Sequence, residues 1–83
     1  MWDDGSLSIY DIDTKNIIEI EYSVKHYPER GGHCGINDGK ISILQMRVYN
    51  NIVVDYNKGW ILPPDKKNKA VMNAYNQLLA KFN

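Results

Sequence analysis

The sequence predicts an α+β domain: a four-stranded antiparallel sheet (ββββα) with one C-terminal helix packed on one face. Three observations lead there. Ile18 to Lys25 alternates apolar and polar residues without a break, and strand side chains point to opposite faces at period two. One wet face marks a sheet as antiparallel far more often than parallel. Val71, Ala74, Tyr75, Leu78 and Phe82 recur at the spacing of one helical face. Between these stripes, short runs of turn-forming residues divide the chain into successive strands.

The first strand spans residues 6–11, at an edge of the sheet, with Leu7 and Ile9 on one face. Asp13-Thr14-Lys15-Asn16 forms the turn after it. The second strand covers 17–26, with Ile18, Ile20, Tyr22 and Val24 inward and Glu19, Glu21, Ser23 and Lys25 facing water or another chain. His26 ends its inward face, hydrogen-bonded at the edge of the core. Residues 27–39 hold four glycines and a proline, which forbid regular structure through most of that stretch. Long connections in small domains are disproportionately functional.

The third strand runs over 40–49, with Leu44, Met46 and Val48 on one side. Ile41 is out of phase with them, which calls for a bulge or strong twist near Ser42-Ile43. Asn50-Asn51 turns the chain into a fourth strand, 52–57, with Ile52, Val54 and Tyr56 inward. Asn57-Lys58-Gly59 ends it, with Gly59 free to take a positive φ. Trp60 to Pro64 leads out in extended form, because each proline disfavours helix in the residue before it. Trp60 then seals one end of the core. Asp65 caps a helix over 65–81.

Eighty-three residues allow one domain, 1–83, with a thin core. The hydrophobic fraction of 43% and charged fraction of 24% are ordinary globular values. No apolar run approaches the ~20 residues of a spanning helix, so no membrane role is expected. The start, Met1-Trp2-Asp3-Asp4, lacks the basic and apolar regions of an export signal, and Cys34 is a single thiol. Both point to the cytoplasm. The zero net charge is unevenly spread. Residues 1–31 carry seven acids against three bases, whereas residues 58–83 carry five lysines against Asp65. A dedicated nucleic-acid binder is more basic, with arginine and aromatics interleaved.

His26, His33, Cys34 and Asp38 are the candidate metal ligands, but adjacent His33 and Cys34 diverge in extended chain and no second cysteine pair exists. Cys34 as nucleophile has His33 and Arg30 nearby in sequence and no orienting third group. Gly31 to Gly35 could form an anion nest, yet phosphate loops act at strand-to-helix turns and this one joins two strands. No catalytic residue, metal or other cofactor is therefore expected, and the chain reads as non-enzymatic. Lys58, Lys66, Lys67 and Lys69 form a basic cluster at the start of the helix, where cations oppose the macrodipole. Tyr10, Tyr27 and Tyr49 fall off the inward faces and are expected to form a contact patch on the outer sheet, with Arg30 and His33 of the loop beside it.

One stretch, Cys34-Gly35-Ile36-Asn37-Asp38-Gly39-Lys40-Ile41-Ser42, leads into a strand, and Tyr56-Asn57-Lys58-Gly59-Trp60, Pro64 and a closing helix follow. With Lys25-His26-Tyr27 ahead of the loop, this pattern resembles a family of small proteins of unknown function from low-GC Gram-positive bacteria and their phages. The resemblance covers about two thirds of the chain. It implies a phage or mobile-element setting and nothing catalytic. The expected function is that of an accessory interaction protein, binding a host protein or a second copy of itself (a homodimer) through Tyr10, Tyr27, Arg30, His33 and Tyr49. The alternative is a small nucleic-acid-binding accessory using Lys58, Lys66, Lys67 and Lys69.

Overall fold

Two hydrophobic stripes meet to make the interior. A computed structural model describes residues 1–29 and 35–83. In it the even positions of the second strand and the helical face press together: Ile20, Tyr22, Val24, Leu44, Met46 and Val54 pack with Ala70, Val71, Ala74, Tyr75, Leu78 and Phe82 in one buried cluster. Ile9 and Ile36 belong to it too, and Leu7, Ile18 and Val48 lean on its margin. The fold is an antiparallel meander. Its strands, in spatial as in chain order, are β1 (Trp2–Asp11), β2 (Asn16–His26), β3 (Ile41–Val48), β4 (Asn51–Asn57) and β5 (Trp60–Leu62). Helix α1 (Lys69–Phe82) closes one face. Among the described residues no helix is long and apolar enough to cross a membrane.

The sheet therefore has five strands, not four. Trp60 to Leu62, read from sequence as an extended exit, returns along β4 and pairs Trp60 with Tyr56 and Leu62 with Asp55. The extended backbone forced ahead of Pro63 is what makes this segment available for pairing. The tight turn before it uses Lys58 as its left-handed residue (φ 58°) instead of Gly59.

β1 also begins four residues earlier than its alternation suggests. Its inward positions there are Asp3 and Gly5, which carry no apolar signal. Gly5 is required by close approach: a Cβ would meet the Tyr22 hydroxyl at 2.7 Å. Asp3 accepts a 2.6 Å contact from His26 Nε2, and the His26 ring lies 4.9 Å from that of Phe82. This is the hydrogen-bonded core-edge histidine that its place at the end of the second stripe predicts.

Two bulges retune β3 and β4. His26 pairs with Ile41 and Lys25 with Ile43, so Ser42 is the extra residue. That is the phase change which Ile41 required, and it lets Ile41 and Leu44 both point inward. Ser42, buried, donates its hydroxyl to Lys25 O at 3.3 Å. A second bulge at Val53 leaves Ile52 opposite Arg47. Ile52, expected inward, consequently lies on the outer face, 46% exposed, and Val53 leans on the core in its place.

The β3–β4 turn is centred on Tyr49 and Asn50 (φ 50° and 66°), one residue earlier than Asn50-Asn51. Two positive-φ central residues fit the right-handed twist of a tight hairpin. The helix begins at Lys69 with Asn68 as its cap, whose side chain accepts from Val71 N at 3.1 Å. Asp65 instead accepts from Lys67 N at 2.9 Å in a separate turn. Lys66 and Lys67 thus precede the helix, and only Lys69 opposes its dipole.

Candidate functional site

Because α1 covers one face only, the opposite face of the sheet stays open. The strand registers lay its side chains in rows. At one end Trp2, Lys25, Ile43 and Asn57 stand side by side across four strands. Lys25 Nζ lies 6.0 Å from the Trp2 ring centroid and 5.7 Å from that of Tyr27. Both distances suit a cation held against aromatic faces. The next row is Asp4, Ser23, Gln45, Asp55 and Leu62.

Arg47 lies across the middle of this face. Its guanidinium donates to Gln45 Oε1 at 2.9 Å and to Ser23 Oγ at 3.4 Å, and sits 3.6 Å from Glu21. A partly exposed pair of that kind contributes at most about 1 kcal/mol, so the network orders the surface more than it stabilises the fold. Ser6 donates to Glu19 at 2.9 Å. Four carboxylates (Asp4, Glu19, Glu21, Asp55) face outward on the strands against Lys25 and Arg47, which makes the outer face acidic.

The structure divides the expected tyrosine patch. Tyr10 pairs with Ile17 at the far end of β1, ten residues along β2 from Tyr27, or about 30 Å at the strand rise. Tyr49, 76% exposed in its turn, lines a cleft beside the helix start and is not on the outer face. Arg30 and His33 lie outside the described residues, as does Cys34. Tyr10 and Tyr27 both lie on the open face, but at opposite ends of it. Trp2, Ile43 and Arg47 are the members that sequence reasoning missed. Extending β1 to Trp2 would have found the first, since Trp2 continues the outward phase of Ser6 and Ser8.

The basic cluster is divided as well. Lys58 N donates to Ser42 O at the start of β3, whereas Asn68 lies beside Val48 and Tyr49 at its end. The helix start and Lys58 are therefore separated by about 20 Å, the length of β3. Lys66, Lys67 and Lys69 remain neighbours in sequence and are exposed.

The cleft at the helix start has a volume of about 360 Å³. Three of its polar side chains are engaged locally: Asp11 accepts from Asp13 N at 3.1 Å and from Thr14 Oγ1 at 2.9 Å, and Asn68 is occupied as the cap. It holds no acid–base pair. Among the described residues no three His, Cys, Asp or Glu side chains gather as metal ligands. His26 is taken up by Asp3, and Asp38 is exposed at the end of a 3-10 turn, Ile36–Asp38.

No curated protein and no solved structure matches the chain. A domain family does, over residues 1–83: the chain belongs to the domain of unknown function DUF7678.

Proposed function

We propose that the chain is a binding module without catalytic activity, which docks a protein partner with a basic surface onto the outer face of its sheet. The observation that carries this reading is the open acidic face, with Trp2, Lys25, Tyr27 and Ile43 gathered at one end. Tyr, Trp and Arg are the residue types that dominate contact energetics. Complementary charge around such an anchor steers encounter and suppresses wrong partners. The setting we infer, from the resemblance carried by Cys34 to Ser42 and Tyr56 to Trp60, is a phage or mobile element acting on a host protein in the cytoplasm.

The nucleic-acid alternative, through Lys66, Lys67 and Lys69, has less support, because Lys58 stands apart from them and the open face of the sheet is acidic. Phosphate charge would be repelled there.

Immobilised protein incubated with host lysate tests the reading. The expected result is one retained partner, eluted by salt, lost with Trp2→Ala/Tyr27→Ala and with Glu21→Lys/Asp55→Lys, and kept with Gln77→Ala on the exposed side of α1. Retention unaffected by the outer-face changes would overturn it. So would salt-sensitive capture of DNA that depends on Lys66, Lys67 and Lys69.

A further inference from the structure

β1 is the edge of the sheet, ten residues long, and among the described residues no strand lies beyond it. Met1 and His26 exchange both backbone bonds, each at 2.9 Å. Antiparallel ladders alternate bonded and non-bonded pairs. Asp3, Gly5, Leu7 and Ile9 therefore bond to β2, and the N–H and C=O groups of Trp2, Asp4, Ser6, Ser8 and Tyr10 point away from the sheet. Natural edges are usually blunted by charged side chains, above all lysine, by proline or by a bulge. β1 has no lysine, proline or bulge, and its charges are the carboxylates of Asp3, Asp4 and Asp11; its register with β2 runs unbroken from Trp2 to Asp11.

We propose that β1 pairs antiparallel with β1 of a second copy, on a two-fold axis through Ser6, to make one sheet continuous across the dimer. Among registers that join outward-pointing groups to one another, only this one engages all five residues. It sets Ser6 opposite Ser6 of the partner, Asp4 opposite Ser8, and Trp2 opposite Tyr10. The outward-bonded pairs are chemically compatible: hydroxyl with hydroxyl, carboxylate with hydroxyl donor, ring with ring; the intervening positions set Asp3 opposite Ile9 and Gly5 opposite Leu7. The register centred on Asp4 would oppose two carboxylates, and the one centred on Ser8 would leave Trp2 and Asp4 unpaired. Trp2 and Tyr10, 56% and 59% exposed in one chain, would cover each other. This assembly uses the strand edge but shares Trp2 and Asp4 with the face proposed for a partner; Tyr27→Ala and Glu21→Lys/Asp55→Lys, which lie off β1, test that face separately from the dimer.

The full chain is tested by light scattering and sedimentation equilibrium across a concentration series. A reversible dimer is expected. Ser8→Lys adds two symmetric Lys–Asp4 pairs and tightens the dimer by roughly fivefold, whereas Asp4→Lys/Ser8→Lys opposes like charges and weakens it by a similar factor. Ser6→Pro removes an N–H that β2 does not use and abolishes pairing. Ser6→Cys in a Cys34→Ser background becomes disulfide-linked on mild oxidation, since directly bonded pairs have Cα atoms about 5.5 Å apart, within disulfide reach. Should Ser6→Pro fail to fold, amide exchange of the unaltered chain decides. Protection at Trp2, Asp4, Ser6, Ser8 and Tyr10 must rise with concentration. A chain that stays monomeric, a dimer indifferent to the Asp4 and Ser8 changes, or edge protection gained only from a different protein would each overturn the proposal.

Discussion

Asn83 ties the connection between β2 and β3 to the end of the helix. Its Oδ1 accepts from Ile41 N at 3.0 Å and its Nδ2 donates to Ile36 O at 3.1 Å. Gly39 lies directly against this amide, and a Cβ there would occupy the same space. Neither Gly39 nor Gly35 has positive φ, so these glycines are required by close approach and not by backbone conformation. Asn83→Ala loses two partly buried hydrogen bonds and should lower stability by about 1–2 kcal/mol. Gly39→Ala displaces the amide and should cost about 1–3 kcal/mol. The two effects share one cause, so the double variant should fall short of their sum by about 1 kcal/mol. Denaturant unfolding of all four proteins measures that difference. Strict additivity would mean that Gly39 is needed for some other reason.

At the scale of elements, the cap decides where the helix starts. Asn68 fills one of the unpaired N–H positions of the first turn, and that turn contains no acid to favour the dipole. Asn68→Ala should therefore cost about 1 kcal/mol, with Asp65→Ala costing clearly less, because Asp65 bonds only an exposed turn. Thermal melts of the pair distinguish a helix starting at Lys69 from one starting at Lys66. Both residues are good cap formers in sequence, and Lys66 and Lys67 are ordinary helix formers, so local preference alone cannot choose between them. β2 and α1 were legible because each carries an unbroken apolar period. β5 was not, because three residues ahead of Pro63 hold no period at all. The first half of β1 was hidden by Asp3 and Gly5, whose inward positions serve His26 and the Tyr22 ring. Trp2 was lost from the surface for the same reason. The Val53 bulge reversed Ile52 through strand register, which a pattern of alternating residues does not contain.

The whole molecule has one interior, and its polar groups set how stability responds to pH. Tyr75 lies on the buried face of α1, with its ring 6.0 Å from that of Trp60. Burial, and secondarily the neighbouring Tyr56, raises its phenol above the ordinary 10.0. The folded chain therefore holds this proton more tightly than the unfolded chain does. Its contribution is complete below the unfolded value near 10, and is lost progressively as pH climbs from there through the folded pKa. Stability should thus decline in strongly alkaline solution, with Tyr75 as one source of the slope. Tyr75→Phe removes the titration while keeping the ring in the core. Urea midpoints at about pH 9 and about pH 11 should differ less for the variant than for the parent. An equal fall in both proteins would place the alkaline loss elsewhere, and the phenol at the junction of sheet, helix and Trp60 would then be no more tightly protonated than one in water.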